Sequence, residues 1–220
     1  MAGRAFWARL VLAAAIVAGA SYLAAPMPEQ QVIWKGAGVG LLTLYAALLA
    51  RTGDGWLITL VMAFGALGDV MLNLAGLEVG AVFFFMGHVT AVILYLRNRR
   101  PELSLSQGLL AGALLVAIPI AAYLLPADRG RAPIAALYAG GLALMAATAW
   151  ISRFPRYWVG LGAVAFAASD LLIFAENGPL AHQGWTGFAV WSLYFAGQAL
   201  ICVGVTRTLA KPQLEAGALF

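Results

Sequence analysis

The chain is a succession of long apolar runs separated by short clusters of charge, proline and glycine. Read by those breaks, the runs cover 5–25, 32–50, 56–74, 79–96, 105–125, 132–151, 157–175 and 185–206. A helix that crosses a bilayer takes about 20 residues, and every run has roughly that length. The pattern therefore predicts an all-α, polytopic membrane protein of eight transmembrane helices, with 1–220 as a single integral-membrane helical domain. The breaks are specific. Pro26-Met27-Pro28-Glu29 ends the first run, Arg51-Thr52-Gly53-Asp54 ends the second, and Ala75-Gly76-Leu77-Glu78 joins the third to the fourth. Arg97-Asn98-Arg99-Arg100-Pro101-Glu102 is the most polar joint, and Pro119 predicts a kink in the fifth run. Membrane β-strands would need segments of about ten residues with alternating polarity, and these runs are longer and do not alternate.

Composition narrows the class further. The chain is 63% hydrophobic and 10% charged, against about 45–50% and about 25% in soluble domains. That excludes a water-soluble fold and a disordered chain. One cysteine, Cys202, excludes a disulfide framework. The net charge of +4 is not spread evenly. If the N-terminus is cytoplasmic, the inner segments hold ten of the thirteen Lys and Arg: Arg4, Arg9, Arg51, Arg97, Arg99, Arg100, Arg153, Arg156, Arg207 and Lys211. Lys35, Arg129 and Arg131 fall outside. This positive-inside bias predicts an even number of spans with both termini cytoplasmic, in a bacterial inner membrane, and membrane lipids as neighbours. A clustered basic face for nucleic acid is absent from the sequence. Arg4, Arg9 and the small residues near Ala24-Ala25 also fit a signal peptide, although the apolar run is longer than the usual core.

An ionisable residue inside a span is costly and therefore a functional candidate. Asp69, His88, Asp170 and Lys35 are the candidates here, with Asn73, Thr90, Ser169, Tyr194 and Gln198 as weaker polar ones. Asp69 and Asp170 are each the fourteenth residue of a span, counted from Trp56 and Tyr157, so each lies about 20 Å up a helix of the same direction. His88, Tyr194, Gln198 and Lys35 fall at neighbouring depths, which predicts one polar layer around a cavity open to the outer leaflet. Gly65, Gly68, Gly76 and Gly80 predict close contact of the third and fourth helices, with Asp69 beside His88. The matched positions of the two aspartates also hint at a four-plus-four parallel repeat. Two histidines and one cysteine are too few for a classical zinc site, so neither metal nor cofactor is expected.

Two carboxyl groups in one apolar layer suit acid–base chemistry. Burial disfavours the charged form of a carboxyl group. One of the pair can then hold its proton as a general acid, while the other, steadied by Lys35 or His88, serves as base. Protonation by the first would produce an oxocarbenium-like cation from an acid-labile ether, and the second would direct water to it, by the logic of glycoside cleavage.

The combination of Gly68-Asp69, a Phe-rich stretch leading to Gly87-His88, Ser169-Asp170 and Tyr194 with Gln198, over eight spans, resembles the YhhN-like lysoplasmalogenase family. The resemblance covers almost the whole chain. It implies a membrane hydrolase that cleaves the vinyl ether bond of lysoplasmalogen, releasing a fatty aldehyde and glycerophosphoethanolamine or glycerophosphocholine. It implies Asp69 and Asp170 as the acid–base pair, with Lys35, Asn73, His88, Ser169, Tyr194 and Gln198 supporting or binding substrate. The partner it implies is a lysophospholipid with one chain, lying among Phe83, Phe84, Phe85 and Phe166. The chain departs from the family pattern at Gly36, which follows Lys35, and at Ala91, three residues after His88. Two other functions fit the same buried groups: a proton-coupled transporter of a small molecule or lipid, and a non-catalytic lipid-binding membrane protein. Oligomeric state leaves no mark on the sequence.

Overall fold

A computed structural model describes residues 2–24 and 28–210. It contains eight helices: α1 Ala2–Ser21, α2 Pro28–Leu49, α3 Gly53–Leu74, α4 Leu77–Arg97, α5 Leu105–Leu124, α6 Ala132–Ile151, α7 Leu161–Glu176 and α8 Thr186–Ala210. Each is long and apolar enough to cross a membrane, α7 once the turn before it is included. The protein is an all-α integral membrane protein, and its helix ends lie within a few residues of those read from the polar breaks. Lys211 and the rest of the tail lie outside the described residues, as do Ala25, Pro26 and Met27.

Local chemistry sets the ends. The Thr52 hydroxyl accepts from Gly55 N at the start of α3. Ser104 and Gln107 cap each other at the start of α5, so that two of the orphan donors of the first turn are satisfied. The joint between α3 and α4 is so short that Gly76 takes φ +93°, a left-handed conformation that a Cβ would strain. Pro119 sits inside α5, which continues to Leu124. One element was not foreseen: Arg156–Gly160 forms a π-helical turn before α7. Pro155 and Gly160 bracket it, and such turns have a wider hydrogen-bond spacing than the apolar periodicity can report.

In lipid, helices gain little from burying apolar surface, so close packing decides which of them meet. A Cβ on Gly197 of α8 would lie 2.6 Å from the Gly162 carbonyl oxygen of α7, and one on Gly162 would lie 2.9 Å from the Gly197 oxygen. The α7 and α8 backbones therefore touch there. Gly68 of α3 admits the Phe84 ring of α4 in the same way, and Gly80 sits against Leu72. Gly65 differs from expectation: it faces Gln198 of α8 and Val39 of α2.

The helices divide into a centre and a rim. α8, the most buried, packs on α7, α2 and α3, while α4 packs on α3 and α6. α1 and α5 are the least buried. α5 rests on α6 and touches α7, and presents Leu105, Leu109, Val116, Ile120 and Leu124 outward. Apolar side chains exposed in this way are what a lipid-facing helix requires.

The two ends of the bundle also differ. At the end where α3 begins, Arg97 Nε donates to Asp54 Oδ1 at 2.9 Å and Asn98 Nδ2 to Asp54 Oδ2 at 2.8 Å. Arg153 Nε donates to Asn98 Oδ1 at 2.6 Å, and Arg100 Nε to the Ser152 carbonyl at 2.7 Å. The arginines that bias the charge thus also clamp the α4–α5 joint to the α6–α7 joint. Arg207 joins this basic end, stacked over Trp158.

Candidate active site

The site is built by α3, α4, α6, α7 and α8. Asp69, in the last third of α3, is 1% exposed, and Asp170, in the middle of α7, is 8% exposed. Each carboxylate accepts from a tyrosine on another helix. Tyr194 Oη of α8 donates to Asp69 Oδ2 at 2.8 Å, and Tyr138 Oη of α6 donates to Asp170 Oδ2 at 2.8 Å. Both lengths are those of ordinary, well-formed O–H···O hydrogen bonds.

Around Asp170 the hydrogen bonds continue. His88 Nε2 lies 3.1 Å from Tyr138 Oη. With the tyrosine proton given to an ionised Asp170, the phenol oxygen accepts from His88 Nε2–H, an assignment that follows from the network. Ser169 Oγ donates to the Phe166 carbonyl at 2.7 Å and reaches Asp170 Oδ1 at 3.4 Å. Around Asp69 there is less. Gln198 Nε2 donates to Tyr194 Oη at 3.4 Å. Asp69 Oδ1 is buried and has no hydrogen-bond partner among the described residues. An unpaired buried oxygen is costly.

Aromatic rings pack against the groups that hold the two carboxylates. Phe166 packs edge-on against Tyr194 with ring centres 5.1 Å apart and against His88 at 5.2 Å. Phe84 packs on Phe166 at 6.3 Å and on Tyr194 at 5.8 Å. These apolar walls keep the local dielectric low, where hydrogen bonds and charges act most strongly.

The polar candidates do not all join this layer. Asp69, His88, Ser169, Asp170, Tyr194 and Gln198 do. Asn73 does not reach a carboxylate: its Nδ2 donates to the Asp69 backbone carbonyl at 3.0 Å, one turn back on α3. Thr90 likewise bonds the Met86 carbonyl of its own helix. Lys35 is half-buried on α2 and forms no ion pair within 4 Å among the described residues. Asp69 is not hydrogen-bonded to His88, because His88 turns to α6. A small cavity lies beside the layer, lined among others by His88, Phe166 and Gln198. Among the described residues, no three His, Cys, Asp or Glu side chains are grouped to hold a metal ion.

Tyr138 is the residue that sequence reasoning missed. It stands in Ala-Leu-Tyr138-Ala-Gly-Gly, where tyrosine counts toward apolarity. The signal was available in principle, since a phenol in mid-span needs a hydrogen-bond partner.

Among curated proteins, the lysoplasmalogenase of Mycobacterium bovis is 31% identical over 170 residues, 72% of this chain and 58% of that protein. The lysoplasmalogenase of Mycobacterium tuberculosis matches with the same identity and the same coverage. The chain thus spans 58% of the length of these relatives. No solved structure matches it. The model of the YhhN family matches residues 30–205, a stretch that contains Asp69, His88, Tyr138, Asp170, Tyr194 and Gln198, and the chain belongs to that family.

Proposed function

We propose that this protein is a membrane hydrolase that cleaves the vinyl ether bond of lysoplasmalogens, with Asp69 and Asp170 as its acid–base pair. The products are a fatty aldehyde and glycerophosphoethanolamine or glycerophosphocholine. The observation that carries this reading is the arrangement of the two carboxylates, each held by a tyrosine within one apolar layer, with one oxygen of Asp69 left unpaired. The 31% identity to proteins named lysoplasmalogenase supports the choice of substrate.

The chemistry balances with the chain's own groups. One carboxyl group gives its proton to the vinyl carbon remote from the ether oxygen. The electron pair of the double bond forms the new C–H bond, and the ether oxygen stabilises the resulting cation. The other carboxylate takes a proton from water as the water oxygen bonds to that cation. The product is a hemiacetal, which collapses to aldehyde and alcohol as one proton returns to the alcohol oxygen. The net change is the addition of one water.

Each tyrosine fixes the orientation of its carboxylate, and His88 fixes Tyr138. Phe84 and Phe166 offer the apolar surface against which a single lipid chain would lie. We assign both termini to the cytoplasmic side of the bacterial inner membrane, because Arg51, Arg97, Arg99, Arg100, Arg153, Arg156 and Arg207 belong to the basic end. Residues 1–220 then act as one integral-membrane unit.

The test is mass spectrometry of lysoplasmalogen incubated with the purified protein in detergent, with the double variant Asp69→Asn, Asp170→Asn as control. Aldehyde release by the wild type alone is the expected result, with no membrane gradient needed. Absence of aldehyde from folded wild-type protein overturns the proposal.

A further inference from the structure

α3 carries Asp69 against α2 as well as against α8. A Cβ on Gly65 of α3 would lie 3.4 Å from Val39 of α2, and one on Gly36 of α2 would lie 2.7 Å from Val70 of α3. These two contacts fix the register of the antiparallel pair. One turn from Val39 toward the start of α2 stands Lys35, and one turn from Gly65 toward the end of α3 stands Asp69. Both steps lead away from the arginine clamp. Lys35 therefore comes level with Asp69 across the α2–α3 contact. It also continues the inward face of α2, one turn before the buried Val39, Leu42 and Ala46.

The two charges are level but not paired. They lie within electrostatic range of each other, yet no ion pair joins them within 4 Å among the described residues. Side chains on a helix lean toward its N-terminus, which is outward for Lys35 and inward for Asp69. A permanent pair would hold Asp69 as an anion and keep it from carrying a proton to substrate. Tyr22, at the end of α1, is half-buried like Lys35 and is also within electrostatic range of Asp69. Its ring packs at 4.1 Å on Trp191, which packs at 5.6 Å on Tyr194. Ile33 and Trp34, next to Lys35 in the chain, are exposed and apolar, so lipid lies beside this cation. A half-buried ammonium without an acid partner, next to lipid, fits an anionic group that arrives on a lipid chain.

We propose that Lys35 binds the phosphate of the lysolipid and thereby sets the ether bond at Asp69. Glycerol separates the phosphate of a lysoplasmalogen from its vinyl ether by only a few bonds. A phosphate held at Lys35 thus leaves the ether within reach of the carboxyl group one helix away. The proposal rests on the hydrolase reading and adds to it a requirement for negative charge on the headgroup. Lys35 is a specificity-determining residue here: it touches the phosphate and not the reacting carbon.

Lys35→Gln and Lys35→Arg test it on two substrates, lysoplasmenylethanolamine and the same vinyl ether on glycerol without phosphate. For the phospholipid, Lys35→Gln is expected to raise KM about tenfold with kcat nearly unchanged, the loss of a bond to a charged group that serves ground state and transition state alike. Lys35→Arg should restore KM, since a guanidinium also binds phosphate. For the uncharged glycerol ether, the wild type and both variants should share one KM and one kcat, which also shows that the variants are folded. If Lys35 instead serves Asp69, kcat falls in Lys35→Gln for both substrates alike. That result overturns the proposal, as does an unchanged KM for the phospholipid. A second readout needs no turnover. A one-chain phospholipid with a saturated ether, which has no double bond to protonate, should bind the wild type in detergent about tenfold more tightly than Lys35→Gln. Its phosphate-free counterpart should bind both equally. Equal binding of the phospholipid to both proteins overturns the proposal. If Lys35 governs this binding but the wild type releases no aldehyde, the phosphate site stands and the hydrolase reading falls.

Discussion

The two aspartates hold the same place when counted along their predicted spans, and they differ in their surroundings. Asp170 is embedded in a chain of donors: Tyr138, with His88 behind it, on one oxygen and Ser169 near the other. Asp69 has Tyr194 on one oxygen and nothing on the other. A carboxylate set in a connected run of donors is held in place, whereas a bare oxygen is free to exchange a proton. Under the proposed mechanism, this asymmetry suits Asp69 to the exchange of a proton with substrate and Asp170 to the steadying of charge. Two groups placed alike by helix length are thus set apart by their neighbours, as in other acid–base pairs.

Replacing the carboxyls is the most severe way to break the comparison. Asp69→Asn and Asp170→Asn should each lower kcat by about a hundredfold or more, measured as aldehyde release from protein that elutes and melts like the wild type. Full turnover in either variant removes that residue from the pair. The tyrosines come next. Tyr138→Phe and Tyr194→Phe should each cost about ten- to a hundredfold, the effect of losing a hydrogen bond to a charged group. Tyr138→Phe should cost the more, because it also strands His88. A cycle with His88→Gln sharpens this point: in the Tyr138→Phe background the histidine change should add almost nothing, since the two act as one unit. Additive losses would show that His88 acts elsewhere. The smallest effect is expected at Asn73. Asn73→Ala removes only a bond to its own helix backbone, and kcat/KM should stay within about twofold. A larger loss would return Asn73 to the site.

Stability offers a comparison away from the chemistry. Gly197→Ala puts a methyl group against the α7 backbone, which cannot yield as a flexible side chain would. The melting temperature should fall, and a Gly162→Ala variant should fall with it. Gly112→Ala on α5, where nothing lies within 4 Å of a Cβ, should not.

Much of this architecture was legible along the chain. All eight helices were readable because a span must be apolar over a fixed length, and the charges at its ends mark where lipid stops. The identity of the polar layer was legible for a related reason: Asp69, His88 and Asp170 are too costly in lipid to be incidental. Tyr138 was not legible, because a tyrosine is apolar enough to pass unnoticed in a span. Its hydroxyl becomes informative only when its surroundings show what it meets. Asn73 failed in the opposite direction. It reads as a polar site residue, yet its amide bonds the Asp69 backbone carbonyl one turn back on its own helix. The π-helical turn at Arg156–Gly160 was hidden because hydrophobic spacing carries no trace of a one-residue change in hydrogen-bond register.

By itself, then, the sequence determined that this chain lives in lipid as eight helices, that most of its arginines gather at one end, and that two carboxylates stand within apolar spans. Those are one-dimensional facts, set by the cost of placing charge in hydrocarbon. Only the tertiary structure decided which helix each polar group addresses. It sent His88 to Tyr138 and not to Asp69, left Asp69 Oδ1 unpaired, and placed a small cavity beside His88 and Gln198. The reason is rotational: depth along a helix follows from counting residues, but the direction a side chain takes around the axis depends on where neighbouring backbones can approach, as at the Gly162–Gly197 contact.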